Sequence, residues 1–201
     1  MTDAADAIRF YFSFRSPYAW LASERLEAEL GDLGVPIERL PIYPTEGTFP
    51  NDPSLVPNKV AHLFQDVSRL AREQGLTLRF PSQDGVDWSL PHAAFLAAEA
   101  EGAGHAFMLE VFRKRFSEGE HLGDDAVVGA AATAAGLDAD RILAAARTDA
   151  LVAEAEAGFR NGIERDEIFG VPTFVYRGRL YWGQDRMRFV RSAVLRKKGE
   201  T

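Results

Sequence analysis

The pattern of apolar and polar positions predicts strands near both ends of the chain and helices between them. Residues 8–14 form an apolar, aromatic-rich run that is typical of a buried strand, and residues 35–42 alternate well enough for a second strand. A helical pattern over residues 19–30 separates the two. Because a strand, a helix and a strand follow one another, we expect a right-handed parallel unit.

The middle of the chain has helical spacing throughout. Apolar residues fall on one face over residues 60–71, and this helix is predicted to end at Gly75. A loop rich in Pro, Gly, Asn and Asp precedes it at residues 44–57 and is long enough to suggest a function. Further helices are predicted at 92–101, at 106–117, from 124 onward, at 138–146 and at 149–163.

The pattern returns to strands at the end of the chain. Gly170-Val171-Pro172 introduces a strand at 173–176, and Arg177-Gly178 predicts a tight turn into a strand at 179–182. A last helix is predicted from the Gly183-Gln184-Asp185 segment to about residue 197. We therefore expect an α/β fold with a large all-helical insertion. Residues 1–57 and 166–201 would form one discontinuous domain, and residues 58–165 the inserted helical domain.

Composition excludes several classes of function. The 201 residues are 46% hydrophobic and 26% charged, as in an ordinary globular protein, and the net charge of −7 argues against a nucleic-acid partner. No apolar run approaches the roughly 20 residues that span a bilayer, and residues 1–7 lack a signal-peptide pattern, so we expect a cytoplasmic protein without a membrane partner. The chain has no cysteine, which rules out dithiol–disulfide oxidoreductase chemistry.

Ser16-Pro17 is the first candidate for chemistry. Serine before proline before a helical pattern is a start signal, because the hydroxyl can cap free amides and proline has no N–H to leave unpaired. The strand thus delivers a hydroxyl to a helix N-terminus, where an anion is favoured. The alternative is that Ser16 is only a helix cap. The four histidines show no metal-ligand spacing, so we expect them at surface or partly buried positions and predict no metal site.

Three local patterns together resemble one family. Residues 12–21, which contain Ser16-Pro17-Tyr18, are similar to the Ser-Pro-Tyr turn of the 2-hydroxychromene-2-carboxylate isomerases and kappa-class glutathione transferases. Residues 51–53, 57–59 and 66–71 resemble the loop and first inserted helix of that family. Residues 169–175, together with 182–186, resemble its C-terminal signature. The resemblance covers nearly the whole chain. It implies a thioredoxin-like fold of the DsbA and kappa-class type.

The resemblance also implies a binding site for glutathione or another low-molecular-weight thiol. Ser16 would be the catalytic residue and would hydrogen-bond to the sulfur. Val171 would pair with the tripeptide through its backbone, ahead of a cis peptide bond to Pro172. The alternative is that Pro172 is a plain strand-entry proline. The remaining thiol-binding residues would be Asn51, Gln184 and Asp185, with Asp185 alternatively only a favourable first-turn acid.

An apolar pocket for an aromatic substrate would lie beside the thiol. Its candidate residues are Pro17, Tyr18, Phe49, Lys59 and Trp88. The aromatic residues expected mostly in the core are Tyr11, Tyr18, Trp20, Phe49, Trp88 and Trp182, and for Tyr18, Phe49 and Trp88 the substrate pocket is the alternative.

The function implied by the resemblance is glutathione-dependent cis–trans isomerisation of 2-hydroxychromene-2-carboxylate-type aromatic acids. It would proceed by thiolate addition, bond rotation and elimination, in a homodimer. Two alternatives stay open: a kappa-like glutathione transferase or peroxidase, and a non-catalytic thioredoxin-like module that binds a thiol or a peptide.

Overall fold

A computed structural model describes residues 6–45, 56–82 and 84–199. Within these ranges the chain folds into a four-stranded sheet and nine α-helices. The strands are β1 (Ile8–Phe12), β2 (Ile37–Pro41), β3 (Thr173–Tyr176) and β4 (Arg179–Trp182). The helices are α1 (Pro17–Ser23), α2 (Leu26–Leu30), α3 (Pro57–Glu73), α4 (Ser89–Ala100), α5 (Gly104–Arg113), α6 (Asp125–Ala134), α7 (Ala139–Ala146), α8 (Asp149–Asp166) and α9 (Met187–Gly199). No helix of the described part is long and apolar enough to span a membrane.

The sheet has the order β2-β1-β3-β4. β1 pairs with β2 in parallel, whereas β1–β3 and β3–β4 are antiparallel. The predicted strand–helix–strand unit and the C-terminal hairpin are thus confirmed. Arg177 and Gly178 both have positive φ in the hairpin turn, 50° and 74°, which is the conformation that a tight two-residue hairpin requires.

β1 is buried on both faces, and its side chains join two clusters. Phe10 and Phe12 point into the main core, where the Phe12 ring lies 5.0 Å from that of Phe95 in α4. Tyr11 points to the opposite face and packs in a smaller cluster with Phe159 of α8. Helix α8 comes close to the sheet because Gly158 has no side chain: a Cβ there would lie 2.7 Å from the Pro41 carbonyl oxygen.

Three elements differ from the predictions. The helix expected at 19–30 is split into α1 and α2, which are separated at Glu24 and Arg25. The helix expected at 106–117 ends at Arg113 and continues as a π-helical turn over Lys114–Glu118. Helix α9 begins at Met187, so the expected start at residues 183–186 is wrong.

Trp182 is a further correction. It was expected in the core, but it is 55% exposed. The reason is that β4 is an edge strand with one partner, and Trp182 is its last residue. The Trp182 ring packs edge-on against the equally exposed Phe169, with 5.0 Å between centroids.

Candidate active site

The strand directions bring three of the predicted site segments to one edge of the sheet. In the register, Phe12 lies opposite Pro41, and Thr173 lies opposite both Tyr11 and Trp182. β1, β2 and β4 therefore end at the edge where β3 begins. The segments that follow β1, precede β3 and follow β4 carry Ser16, Val171-Pro172 and Gln184-Asp185, respectively.

Ser16 caps α1 as predicted. Its backbone is extended, with φ −94° and ψ 114°, and its Oγ accepts a hydrogen bond from the Ala19 amide at 3.2 Å. The Ser16 amide donates to the Ser13 carbonyl at 2.9 Å, which closes the turn after β1. Ser16 is half-buried, and Pro17 is buried as the first helical residue. Because Oγ acts as an acceptor in the cap, its proton can still be donated to a ligand.

The Val171–Pro172 peptide bond is cis, as the resemblance implied. The Pro172 carbonyl accepts a hydrogen bond from the Gly183 amide at 2.9 Å. The Thr173 hydroxyl donates to the Gly170 carbonyl at 2.7 Å. These bonds fix the cis segment against the start of the turn that follows β4.

Gln184 and Asp185 lie in that turn and not at the start of α9. Arg25 donates from Nη2 to the Gln184 carbonyl at 2.7 Å and to its Oε1 at 2.5 Å. The carboxylate of Asp185 is half exposed and pairs with Arg186 at 2.7 Å. Arg25 thereby ties the turn to the helical segment that Ser16 begins, and the carboxylate of Asp185 stays accessible. Thiol binding by the two residues remains a prediction.

The proposed pocket residues that the structure describes differ in burial and belong to different elements. Tyr18 is half-buried, and its hydroxyl donates to Asp66 Oδ2 at 2.8 Å, which connects α1 to α3. Burial and this hydrogen bond raise the pKa of Tyr18 well above its usual value. Lys59 is exposed in the first turn of α3, and Trp88 is half-buried before α4. Phe49, like the thiol-binding candidate Asn51, lies outside the described residues.

His92 was missed by the sequence reasoning. The expectation of a surface or partly buried position is wrong for it, since its side chain is fully buried in α4. Nδ1 must carry the proton because it lies 2.7 Å from the Trp88 carbonyl, and Nε2 accepts from the Phe14 amide at 3.4 Å. Burial, and to a lesser extent the charges of Arg15 and Arg115, lower its pKa to about 3. The neutral ring therefore supports the turn that carries Ser16.

Arg115 was missed as well. It lies in the π-helical turn, and its guanidinium carbon is 4.7 Å from the centre of the Trp88 ring. The Arg15 guanidinium lies 5.7 Å from the centre of the same ring. For His92 a signal existed in the apolar run around it in α4, whereas nothing in the sequence distinguishes Arg115 from the charged residues beside it. Among the described residues no three histidine or carboxylate side chains are grouped so that they could hold a metal ion.

The chain belongs to the family of DSBA-like thioredoxin domains, whose pattern it matches over residues 7–195. It is 28% identical to a 2-hydroxychromene-2-carboxylate isomerase of Sphingobium xenophagum, over 94% of this chain and 97% of that protein. The solved structure of a 2-hydroxychromene-2-carboxylate isomerase has the same fold, with a TM-score of 0.81, 24% identity and coverage of 96% of this chain and 97% of the other. The cytosolic disulfide reductase DsbM of Pseudomonas aeruginosa, solved with GSH, also shares the fold (TM-score 0.63, 22% identity, coverage of 97% and 100%).

Proposed function

We propose that this protein is a glutathione-dependent cis–trans isomerase acting on 2-hydroxychromene-2-carboxylate-type aromatic acids. The observation that carries the proposal is the half-buried Ser16 hydroxyl after β1, on the same sheet edge as cis-Pro172. The similarity to an isomerase over nearly the full length of both chains supports the choice of reaction. A homodimer and a cytoplasmic location belong to the same proposal.

The residues at this edge fit a thiol tripeptide. Ser16 has a proton to donate, and a hydrogen bond from a hydroxyl favours a thiolate over a thiol. The exposed carboxylate of Asp185 can accept from an ammonium group, and the Val171 backbone lies just before the cis bond. Bound glutathione would supply the nucleophile for addition to the ring-opened substrate, bond rotation and elimination.

The chain's own part in the reaction is to bind and orient. Ser16 holds the sulfur by its hydroxyl, and α1 and the cis segment fix the positions of the groups on either side. Ser16 and Ala19 occupy the two ends of the Ser-Pro-Tyr-Ala turn, and with no cysteine in the chain no thiol of the protein takes part.

Calorimetric titration with reduced glutathione tests the thiol site directly. We expect saturable binding at millimolar affinity or better, and Ser16→Ala should weaken it about tenfold or more, since a hydrogen bond to a charged group contributes about 1.5–3 kcal/mol. Ser16→Thr keeps a hydroxyl and should retain most of the affinity. Ser192→Ala removes an exposed hydroxyl from α9 and should have no effect. Bacillithiol and mycothiol serve as parallel titrants.

Turnover then distinguishes the reaction classes. Isomerisation of 2-hydroxychromene-2-carboxylate should depend on the thiol without consuming it, and Ser16→Ala should reduce the rate. Conjugation of aryl halides with loss of glutathione would instead identify a transferase. Absence of binding to all three thiols would overturn the proposal and leave a peptide-binding module, in which strand addition beside cis-Pro172 would be tested next.

A further inference from the structure

Arg115 is a buried charge that has no hydrogen-bond partner in the part of the chain that the structure describes. Its side chain is fully buried, and none of its three guanidinium nitrogens has a partner among the described residues. A guanidinium carries five N–H donors, and buried donors are nearly always satisfied. An unpaired buried cation destabilises a folded protein, so its presence needs an explanation.

Within the described part of the chain, the surroundings of Arg115 supply aromatic faces but no carboxylate partner. Its guanidinium carbon lies 4.7 Å from the centre of the Trp88 ring and 5.2 Å from that of Phe116. The charged side chain that acts on it is Arg15, another cation. Burial and the charge of Arg15 lower the pKa of Arg115 to about 10, so it stays protonated at neutral pH. Among the described residues, no carboxylate pairs with Arg115.

The place adjoins the turn that carries Ser16. Arg15 directly precedes Ser16, and its guanidinium contacts the same Trp88 ring as Arg115. The Trp88 carbonyl is bonded to His92, whose other nitrogen accepts from the Phe14 amide. Trp88 therefore lies between the Ser16 turn and the π-helical turn, into which α5 leads directly.

We propose that Arg115 anchors the carboxylate of an aromatic acid that binds beside Trp88, next to Ser16. A planar guanidinium matches a carboxylate through two parallel hydrogen bonds, and the neighbouring Trp88 and Phe116 rings suit an aromatic body attached to it. Since the guanidinium is fully buried and the Trp88 ring is half-buried, the ligand must shift Trp88 as it enters. The assignment of this ligand as the reacting substrate rests on the proposed function.

A matched pair of ligands tests the anchor without thiol and without turnover. trans-Cinnamate and cinnamamide have the same shape, and only the first carries a charge. We expect the protein to bind cinnamate at least tenfold more tightly than cinnamamide, with a change in tryptophan fluorescence that Trp88→Phe abolishes. Arg115→Gln should reduce the preference to less than twofold, while Arg115→Lys retains part of it.

The controls separate the anchor from general charge and from the thiol site. Arg160→Gln removes an exposed arginine on α8 and should keep the full preference for cinnamate. Glutathione affinity, titrated in parallel, should be the same in Arg115→Gln as in the unaltered protein. If the unaltered protein bound cinnamate and cinnamamide equally well, the anchor would be overturned whether or not Arg115→Gln folds. A preference for cinnamate that persists in Arg115→Gln would overturn it as well. If the unaltered protein bound no thiol but still preferred cinnamate through Arg115, the proposed function would be contradicted and the carboxylate anchor would be supported.

Discussion

His92 shows how burial sets the chemistry of a single residue. It is enclosed in α4 among apolar side chains, and its pKa is lowered to about 3. The ring therefore stays neutral at any pH at which the protein is expected to work. Only the neutral ring can donate from Nδ1 to Trp88 and accept at Nε2 from Phe14 at the same time.

This predicts a pH dependence of stability. In the unfolded chain His92 takes up a proton below about pH 6.5, whereas in the folded protein it does not until about pH 3, so the free energy of unfolding falls as the pH falls between these values. The contribution approaches about 1.4 kcal/mol per pH unit. Urea unfolding between pH 7.5 and 5 should show this slope, and His92→Gln should lose it.

His62 provides the matched control, since it is exposed on α3. His62→Gln should leave the slope as it is in the unaltered protein. A slope unchanged in His92→Gln would mean that another group causes the pH dependence.

At the residue scale, the sequence predicts the roles that follow from local chemistry. The role of Ser16 as a helix cap follows from Pro17 and the helical pattern beside it, and the cis bond before Pro172 follows from the motif in which Pro172 lies. The environments of His92 and Arg115 depend on contacts between distant segments: Arg115 meets Trp88 across 27 positions of the chain, and no local pattern encodes that meeting.

Among the elements, the end of α8 is joined to β1 by a buried ion pair. Arg9 donates from Nε and Nη2 to the two carboxylate oxygens of Asp166, at 2.7 and 2.6 Å, and the Tyr11 hydroxyl donates to Oδ2 at 2.6 Å. Burial alone would raise the pKa of Asp166, but the bonds from Arg9 and Tyr11 outweigh it and hold the pKa below its usual range. This clamp fixes the point from which the chain runs to cis-Pro172.

Asp166→Asn is expected to destabilise the protein by about 3–5 kcal/mol, because it leaves the Arg9 guanidinium buried against a neutral group. Chemical denaturation at pH 7 measures the change. Glu164→Gln, an exposed change on the same helix, should alter the free energy of unfolding by less than about 0.5 kcal/mol. A loss below about 1 kcal/mol for Asp166→Asn would show that the clamp does not hold α8 to the sheet.

Apolar periodicity predicts which helices and strands form, but it does not predict the residues at which they end. Apolar spacing predicts the strands and most helices, but it has no means of showing where a helix changes its hydrogen bonding. The split after α1 occurs where the Arg25 amide bonds to Ala22 and its side chain reaches Gln184, a residue far along the chain. The π-helical turn after α5 likewise buries Arg115 and Phe116 against distant segments. Each irregular end carries a side chain that reaches a candidate site residue, since Arg25 bonds to Gln184 and Arg115 contacts the Trp88 ring.

Across the whole molecule, the inserted helices and the sheet share one hydrophobic core. The main cluster contains Phe10 and Phe12 of β1 together with Phe95 and Phe112 of the inserted helices. Phe12 lies 5.0 Å from Phe95 and 6.0 Å from Phe112, ring centre to ring centre. The division at residues 58 and 165 remains a prediction from the sequence. A core continuous across those positions is a reason to expect that the two parts do not unfold separately.

Phe95→Ala tests this cooperativity. The Phe95 ring is fully buried in α4, so its loss should lower the free energy of unfolding by about 3–5 kcal/mol. Far-UV circular dichroism follows mainly the inserted helices. The fluorescence of Trp20, which is buried in α1, follows the other part when Trp88 and Trp182 are replaced by Phe in both proteins. In a single cooperative unit both signals shift by the same amount and keep coincident transitions. If Phe95→Ala moved the circular dichroism transition and left that of Trp20 in place, the insertion would be an independent folding unit. In that case the contacts of α4 and α5 with β1 would position the turn that carries Ser16 but would add nothing to its free energy of unfolding.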